Sequence, residues 1–492
     1  MLLSKIVNSF KNELEILNFK DQEINGIESD SRLIKKNDIF FALDGLKSKG
    51  IDFIDKAVNN GATVIVCDKR YNYNNSSLTI IKCDDPVEML GKFLNVFYPN
   101  KPKHIIGITG TSGKTSTAEF ARQIIQNLGH NSASIGTLGV KFKDKQIKSG
   151  TLTMLETVEL HQKLNILKTE KDVDYVSMEF SSQGMHQRRG IGINVDVAVF
   201  LNLSPEHLDY HKTMEEYFKQ KTTLFTKILK DDGTAVLNAD VPEFKKLEKI
   251  CNDRGVKIIS FGKNGDIKIK DIKPLAKGQD ITILYQGKEY LLELPFIGTF
   301  QAMNVLAAIS AVVALNIESS FEKILKAVNG IKQAEGRMQL AGIKSNGATI
   351  YVDYAHKPDA LQKVLEATRE HIDKDSGSRI FILFGCGGDR DKTKRPVMGK
   401  IANDLADVVI ITDDNPRTED ATTIRQEVAS TCPKAYNIGG RKQAIEKAID
   451  MLEKDDILIL AGKGHEKYTI IGKELSHFDE FEIVRDYLNK IK

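Results

Sequence analysis

The chain has 492 residues, 41% hydrophobic and 28% charged, so general disorder, a collagen-like chain and a disulfide scaffold are excluded. Lys and Arg total 70 against 67 Asp and Glu, and this net charge of +3 is too balanced for a nucleic-acid coat or a polybasic membrane binder. Any anionic ligand must therefore be held by a local arrangement of residues.

The cysteines and the apolar segments indicate the cellular compartment of the protein. Its five cysteines are scattered without CxxC spacing, which predicts neither a zinc site nor a redox motif and fits a reducing cytosol. Lys5, Lys11 and Glu13 interrupt the apolar N-terminus, so it does not resemble a signal peptide. The longest apolar stretch, 307–315, is shorter than the ~18 residues of a membrane span. We expect a soluble, cytoplasmic protein.

The pattern along the chain predicts three domains, as does a prior of roughly 150 residues per domain. Residues 1–100 mix short apolar runs with helical stretches, as in a small α/β domain. Residues 101–334 alternate strands and helices, which predicts a mostly parallel sheet, with one hairpin expected at 280–294. Residues 335–492 repeat the alternation and predict a Rossmann-like C-terminal domain whose strands run into glycine-bearing loops. The apolar runs before those loops are 379–384, 408–412 and 457–460.

A glycine-rich loop lies between a β-rich run at 105–109 and an amphipathic helix. Its glycines let backbone N–H groups approach phosphate oxygens, and the N-terminus of the helix favours negative charge. Lys114 would neutralise the β- and γ-phosphates and Thr115 would ligate Mg²⁺. The usual pattern has glycine where this chain has Ile108. The central domain is therefore predicted to be of the P-loop ATPase type. The predicted ATP-binding residues of the loop are Gly110, Thr111, Ser112, Gly113, Lys114, Thr115 and Ser116.

Two later segments carry candidate metal ligands. Glu179 ends an apolar run and could share a Mg²⁺ with Thr115, because hard cations prefer oxygen ligands. His207 lies in the crowded segment EHLDYH, whose spacing alone leaves a metal role open. Lys221 lies among aromatic residues, and by itself it is typical of a helix lysine that packs its stem and exposes its charge.

These motifs together resemble the Mur ligase family. The loop GTSGKTS is similar to the ATP loops of Mur ligases and folylpolyglutamate synthetases, and MEFSSQGMHQRR and NLSPEHLDYH resemble two further Mur ligase patterns. The resemblance implies that Glu179 and His207 hold two Mg²⁺ ions and that Lys221 carries a carbamate from CO₂ that bridges to the second metal. Lys114, Lys221 and His207 would be the catalytic residues. Gln183 stands where the family usually has histidine.

Over essentially the whole chain, the resemblance is to the MurE branch, the tripeptide-forming ligases of peptidoglycan synthesis. The segment ESDSRLIKKNDIFFALDGLKSKG resembles the part that holds the UDP-substrate, including 46–48, and LTMLETVELH resembles a substrate loop in which Leu152, Met154 and Leu155 depart from the family pattern. The residues implied to bind the UDP-N-acetylmuramoyl dipeptide are Ser29, Ser31, Thr153, Met154, Ser181, Gln187 and Arg189.

The C-terminal motifs suggest the amino-acid substrate. Pro416 stiffens the turn DNPR, so Arg417 projects from a rigid platform. In this family DNPR marks enzymes that add meso-diaminopimelate, whose extra carboxylate a guanidinium can pair with. The residues implied to bind diaminopimelate are Arg390, Asp414, Asn415, Pro416, Arg417, Gly462 and Glu466. Those implied to face the nucleotide from the C-terminal domain are Arg337, Asp353 and His356.

The resemblance implies an ATP-dependent ligase that adds meso-diaminopimelate to UDP-N-acetylmuramoyl-L-Ala-D-Glu through an acyl phosphate, in cytoplasmic peptidoglycan precursor synthesis. We expect ATP, two Mg²⁺ ions and a carbamate on Lys221, no nucleic-acid partner, no membrane insertion and a monomer. Three alternatives stay open: an L-lysine-adding ligase of the same branch, a folylpolyglutamate synthetase, and a nucleotide-dependent switch protein without ligase chemistry.

Overall fold

The computed structural model describes residues 1–45, 48–143, 145–148, 150, 152–372 and 377–491. The chain forms two compact units. The first comprises residues 1–112, 129–237 and 242–258, and the second comprises residues 113–128, 238–241 and 259–492. None of the helices in the described ranges combines the length and apolar character that a membrane crossing requires.

The first unit begins with a five-stranded sheet of order β1-β5-β4-β3-β2. β2 to β5 are parallel neighbours, whereas β1 runs antiparallel to β5. The side chain of Asp85 accepts a hydrogen bond from the backbone N–H of Glu88, and Pro86 is the first helical residue of α3, two features that favour a helix start there. The elements are α1 (Leu3–Val7), β1 (Glu15–Leu17), β2 (Gly26–Glu28), β3 (Asp38–Phe41), α2 (Ile54–Asn59), β4 (Ala62–Asp68), β5 (Thr79–Cys83) and α3 (Pro86–Phe97).

Strands of a larger sheet follow in the order β12-β11-β6-β10-β7-β8-β9. β12, β11, β6, β10 and β7 are parallel, and β8 and β9 extend the edge as antiparallel strands. β6 and β11 are almost wholly apolar and buried, as strands covered on both faces must be. The elements are β6 (His104–Thr109), β7 (Ser132–Gly136), β8 (Gly139–Phe142), β9 (Lys145–Lys148), α5 (Thr157–Lys171), β10 (Tyr175–Glu179), α6 (Ser182–His186), β11 (Val195–Phe200), α7 (Leu208–His211), α8 (Met214–Thr223), β12 (Leu229–Asn238) and α9 (Phe244–Asp253).

The second unit contains α4 (Lys114–Asn127), which packs on α10, and the rings of Phe120 and Phe296 stack with centroids 5.4 Å apart. The hairpin predicted at 280–294 is confirmed, because β15 and β16 pair antiparallel across Gln286 and Gly287. The elements of this part are β13 (Lys257–Gly262), β14 (Ile267–Leu275), β15 (Gly278–Tyr285), β16 (Lys288–Leu294), α10 (Thr299–Leu315) and α11 (Phe321–Val328).

The C-terminal part of the second unit is a six-stranded sheet of order β17-β18-β22-β19-β20-β21, parallel except for the edge strand β17. β19, β20 and β22 occupy the three predicted apolar runs. The elements are β17 (Gln339–Ile343), β18 (Thr349–Asp353), α12 (Pro358–Arg369), β19 (Ile380–Phe384), α13 (Lys394–Leu405), β20 (Val408–Ile411), α14 (Ala421–Ala429), β21 (Tyr436–Asn437), α15 (Arg441–Met451), β22 (Ile457–Ala461), β23 (Tyr468–Ile471), β24 (Glu474–His477) and α16 (Glu480–Lys490).

The predicted fold class is confirmed: the chain is α/β, with a small N-terminal sheet, a mostly parallel central sheet and a Rossmann-like C-terminal sheet. The domain boundaries 1–100, 101–334 and 335–492 stay a prediction. In both parallel sheets the polar loops follow the carboxyl ends of the strands, the edge at which such sheets bind ligands.

Candidate active site

The phosphate loop, residues 110–116, follows β6 directly. In the first unit, the segment after β11 binds the start of the phosphate loop. The backbone N–H of Thr111 donates to the Asn202 carbonyl at 3.0 Å. The Asn202 side chain accepts from the backbone N–H of Ser112 at 2.9 Å and donates to the Ser112 carbonyl at 3.1 Å. Asn202 was not among the predicted site residues. Its position after β11, the strand next to β6, is the signal that could have indicated it.

The second half of the phosphate loop belongs to the second unit. Gly113 has φ 86°, in the left-handed region that favours glycine, and α4 begins at the next residue, Lys114. The N-cap residue of this helix is Gly113, which has no side chain that could cap it. The sequence therefore folds into the strand–turn–helix in which backbone amides and the helix dipole favour phosphate.

Lys221 lies on α8, and only 1% of its surface is exposed. Its ammonium donates to the Gly110 carbonyl at 2.7 Å and lies 4.5 Å from the ring centroid of Tyr217. The Tyr217 hydroxyl lies 3.2 Å from the Thr111 hydroxyl, and burial raises the pKa of this tyrosine. Lys221 is therefore not the exposed helix lysine that its surroundings in the sequence suggest by themselves.

Glu179 ends β10 and is 2% exposed. Its carboxylate accepts from the backbone N–H of Thr137 at 2.7 Å and from the hydroxyl of Thr137 at 3.2 Å. A side chain at Gly136 would overlap this carboxylate, so only glycine allows the close approach. The Thr137 hydroxyl is also 3.2 Å from that of Thr153, a predicted substrate residue. Thr137 had no signal in the sequence.

His207 has φ 57° and precedes α7. Its Nε2 lies 3.6 Å from a carboxylate oxygen of Glu206. His211 Nε2 lies 2.9 Å from the Ser182 hydroxyl, and burial lowers the pKa of His211. Within the ranges described, no group of three or more His, Cys, Asp or Glu side chains could hold a metal ion. The predicted ligand set draws on only two such residues, Glu179 and His207.

The predicted substrate residues of the N-terminal sheet lie in one turn. Ser29 is exposed and Ser31 is buried, and the Ser31 carbonyl accepts from the Asn60 side chain at 2.8 Å. Asp30, between them, forms an ion pair with Arg32 at 2.6 Å. Residues 46 and 47 of the predicted stretch 46–48 lie outside the described residues.

The other predicted substrate residues gather around the segment before α5. Met154 is buried, and its carbonyl accepts from the Arg189 guanidinium at 3.0 Å. Arg189 also pairs with Glu156 at 2.9 Å. Ser181 caps α6 by accepting from the backbone N–H of Gly184, and Gln187 follows the end of that helix.

In the second unit, Arg337 lies near the phosphate-loop residue Thr115, and Asp353 binds the backbone of the residue that follows Arg337. The Arg337 guanidinium donates to the Thr115 hydroxyl at 3.4 Å and lies 4.7 Å from the centroid of the Tyr354 ring. Asp353 accepts from the backbone N–H groups of Met338 and Ala355 at 2.8 and 2.7 Å. Burial raises the pKa of Asp353, and it lowers that of His356 to about 4.

The DNPR segment, residues 414–417, follows β20 and is held from several sides. Arg417 has φ 53°, and its guanidinium donates to the Gly388 carbonyl at 2.8 Å and to the Asn415 carbonyl at 3.4 Å. Its backbone N–H donates to the Ile470 carbonyl at 3.2 Å, and its own carbonyl accepts from Gly472 at 2.7 Å. Arg417 is therefore half-buried and fixed.

The other residues predicted to bind the amino-acid substrate lie in or around this segment. Asn415 donates to a Glu466 carboxylate oxygen at 3.1 Å, and burial followed by the charge of Asp414 raises the pKa of Glu466. A side chain at Gly462 would come within 3.0 Å of the Asp414 carboxylate. Pro416 is buried, whereas Arg390 is exposed and donates to the Asp389 carbonyl at 3.3 Å. Sequence reasoning missed Lys463, which is fully buried and donates to Asn415.

Three Mur ligase domain models match successive parts of the chain. The Mur ligase family, catalytic domain, matches residues 23–98, the Mur ligase middle domain matches 108–312, and the Mur ligase, glutamate ligase domain, matches 336–464. The UDP-N-acetylmuramoyl-L-alanyl-D-glutamate--2,6-diaminopimelate ligase of Mesorhizobium japonicum is 40% identical over 96% of each chain.

Two solved structures are similar. A UDP-N-acetylmuramoyl-L-alanyl-D-glutamate--2,6-diaminopimelate ligase aligns over 96% of both chains with a TM-score of 0.70 and 30% identity. The MurF ligase of Thermotoga maritima, solved in complex with ADP, aligns over 96% of this chain and 99% of its own with a TM-score of 0.62 and 20% identity, which indicates a shared fold. The resemblance drawn from the motifs is thereby confirmed. Since the relatives match along nearly their whole length, this chain belongs to the Mur ligase family.

Proposed function

We propose that this protein is the ATP-dependent ligase that joins meso-2,6-diaminopimelate to UDP-N-acetylmuramoyl-L-alanyl-D-glutamate in peptidoglycan precursor synthesis. The observation that carries the proposal is the 40% identity over 96% of both chains to a ligase named for this reaction. The fixed guanidinium of Arg417 in the DNPR segment supports the choice of amino acid. We also propose that the enzyme works in the cytoplasm as a monomer.

The phosphate loop would bind ATP. Backbone amides at its glycines and the start of α4 favour the phosphates, and Lys114 would neutralise charge on the β- and γ-phosphates. Arg337, which donates to the Thr115 hydroxyl, and Asp353, which accepts from the backbone N–H of Met338, are proposed to contact the nucleotide. Lys221 and Asn202 support the loop by binding its backbone at Gly110 and Ser112.

The proposed metal ligands are of the right chemical type. Glu179 offers a buried carboxylate that Thr137 orients, and Thr115 offers a hydroxyl, both of which suit Mg²⁺. A carbamate on Lys221 would retain one N–H that can donate to the Gly110 carbonyl. It would also add two oxygen atoms that can bind a metal ion. His207 is the remaining proposed ligand. When bound, Mg²⁺ would offset the negative charge of the transferring phosphoryl group.

The reaction needs two displacements. The γ-carboxylate of the D-glutamyl group attacks the γ-phosphorus of ATP, ADP leaves, and an acyl phosphate forms. The amine of diaminopimelate then attacks the acyl carbon, and inorganic phosphate leaves as the amide forms. Lys114 stabilises the charge that develops in the first step, by its position and its own positive charge. The residues proposed to hold the UDP-dipeptide are Ser29, Ser31, Thr153, Met154, Ser181, Gln187 and Arg189.

The C-terminal loops would deliver the amino acid. Diaminopimelate resembles lysine with an additional carboxylate, and the fork of Arg417 can pair with that group, supported by Arg390. Glu466 would accept from a substrate ammonium, with Asp414, Asn415, Pro416 and Gly462 shaping the site. With lysine the guanidinium would have no substrate carboxylate to pair with, which lowers affinity and favours diaminopimelate.

The test is a phosphate-release and product assay with purified protein, ATP, Mg²⁺ and the UDP-dipeptide, offering meso-diaminopimelate and L-lysine separately. We expect phosphate release and tripeptide formation with diaminopimelate. Preference for lysine would identify the lysine-adding branch. Turnover of folates in place of the UDP-dipeptide would identify a folylpolyglutamate synthetase, and ATP binding without phosphate release would indicate a switch protein.

A further inference from the structure

Lys463 is a fully buried lysine between the DNPR segment and the β23–β24 hairpin. Its ammonium donates to the side-chain oxygen of Asn415 at 3.0 Å and to the Tyr468 carbonyl at 2.8 Å. The ammonium also lies 5.4 Å from the centroid of the Phe478 ring. One side chain therefore links the loop after β22 to the DNPR segment and to the first strand of the hairpin.

The contacts of Asn415 fix the orientation of its amide. Its oxygen accepts from Lys463 and from the backbone N–H of Ile470, each at 3.0 Å, and its NH₂ group donates to Glu466 at 3.1 Å. A flipped amide would turn its NH₂ toward two donors and its oxygen toward a carboxylate. Both contacts would be repulsive, so the network admits one orientation.

Charged groups of both signs lie near Lys463. The groups that act on it are the carboxylates of Asp414, Glu466 and Glu480 and the guanidinium of Arg441. Burial lowers its pKa and the charge of Asp414 raises it. Its two hydrogen-bond acceptors are neutral oxygens, however, so the ammonium holds loops in place while the nearby carboxylates offset the cost of burying it.

The arrangement also orients Glu466. Its Oε2 accepts from Asn415, and across the described residues its Oε1 accepts no hydrogen bond. Oε1 is then the atom that can accept from a substrate ammonium. If the Asn415 amide turned, Glu466 would lose the donor that holds it and would face an oxygen instead.

We propose that Lys463 is a positioning residue for the amino-acid substrate: by fixing the Asn415 amide it orients Glu466 and keeps the hairpin, which Asn415 binds at Ile470, beside Arg417. The role rests on the proposed function for its substrate. Lys463 touches no reacting atom and acts through Asn415.

The experiment replaces Lys463 with Met, which keeps the volume and removes the donor, and with Arg, which keeps the charge. We expect Lys463→Met to raise the KM for meso-diaminopimelate about 10- to 100-fold, the loss typical of a hydrogen bond to a charged group. The KM for ATP and for the UDP-dipeptide should change less than about twofold. Lys463→Arg should recover part of the loss. The matched control is Lys400→Met, an exposed lysine of α13, which should behave as the unmodified protein.

A double variant tests the route through Asn415. If Lys463 acts through this amide, Lys463→Met should add little to the effect of Asn415→Leu. Effects that multiply fully would overturn the proposal, as would an unchanged KM for diaminopimelate in Lys463→Met. If Lys463→Met does not melt cooperatively, Lys463→Gln takes its place under the same criteria.

Amide hydrogen exchange of the substrate-free protein tests the positioning role of Lys463 independently of the proposed function. The Ile470 N–H, which Asn415 accepts, should exchange faster in Lys463→Met than in Lys400→Met. Failure of the unmodified enzyme to couple diaminopimelate would reject the proposed function alone. Unchanged exchange at Ile470 would reject the positioning role whatever the substrate proves to be.

Discussion

The start of the phosphate loop and the DNPR segment both follow a buried parallel strand, yet different groups hold them. Residues 110–112 are held through their backbone, by Asn202 and by the buried ammonium of Lys221. In the DNPR segment, Asn415 is held through its side chain, by Lys463 and Glu466. A backbone cradle recognises phosphate groups, which every nucleoside triphosphate shares, whereas a side-chain network can distinguish one amino acid from another.

A buried lysine lies beside each of the two segments. Lys221 and Lys463 each donate to a backbone carbonyl, and each lies near an aromatic ring. Lys463 is also surrounded by carboxylates and fixes a side-chain amide. We therefore expect changes at the phosphate loop to reduce turnover with any amino acid, and changes near DNPR to alter the KM for the amino acid.

The largest effect is expected at the phosphate loop. Lys114→Ala should lower kcat/KM about 1,000-fold or more, because a charge that stabilises phosphoryl transfer is removed. The loss should be the same with diaminopimelate and with lysine, as measured by phosphate release. Lys263→Ala, at an exposed lysine of the second unit, is the control. Near-normal ligation by Lys114→Ala would show that this loop does not bind the nucleotide.

A smaller and more selective effect is expected at Arg417. Arg417→Ala should raise the KM for diaminopimelate about 10- to 100-fold, since a charge-assisted pair with the carboxylate is lost. The KM for ATP should stay within about twofold, as measured by initial rates with each substrate varied. Arg485→Ala, at an exposed arginine of α16, should change neither constant. Equal increases for both substrates would remove Arg417 from the amino-acid site.

The smallest effect is expected on the unfolding free energy at acidic pH, and it depends on one buried histidine in each unit. Burial lowers the pKa of His161, in the first unit, to about 3, and that of His465, in the second, to about 4. Below the ordinary value of 6.5 the unfolded chain binds protons that the folded chain does not, so stability falls as pH falls. Each histidine should lower the unfolding free energy by about 1 kcal/mol between about pH 7.5 and about pH 5.5.

Denaturant unfolding at both pH values checks this expectation. His161→Gln should keep the hydrogen bond that Nε2 forms with the Ile191 carbonyl while losing part of the pH dependence of the first unit. His130→Gln, a second histidine-to-glutamine change in the first unit, is the control. The expectation fails if the free energies of the unmodified protein and of His161→Gln change equally with pH.

The sequence predicted those features that depend on contiguous residues. The phosphate loop could be located because a strand, two glycines, Lys114 and a helix follow one another directly, and the β15–β16 hairpin because Gln286 and Gly287 interrupt strand-like residues. The candidate site could be listed residue by residue only because its motifs resemble a family; their roles stay predictions.

The supporting contacts could not be predicted from the sequence. Thr137 is 42 positions from Glu179, and Lys463 is 48 positions from Asn415. Neither pair leaves a periodic or local signal, because sheet topology alone brings them together. Lys221 illustrates the same limit: a lysine on a short helix is usually solvated, and the Gly110 carbonyl that accepts from its ammonium lies 111 positions away in the sequence.

The most direct test of the central claim is a competition assay with equal concentrations of meso-diaminopimelate and L-lysine, ATP, Mg²⁺ and the UDP-dipeptide, with the products separated by mass. We expect the diaminopimelate tripeptide to exceed the lysine tripeptide by at least about 100-fold, because lysine offers the Arg417 guanidinium no carboxylate. Equal amounts of the two tripeptides, or an excess of the lysine product, would contradict the assignment of the amino-acid substrate.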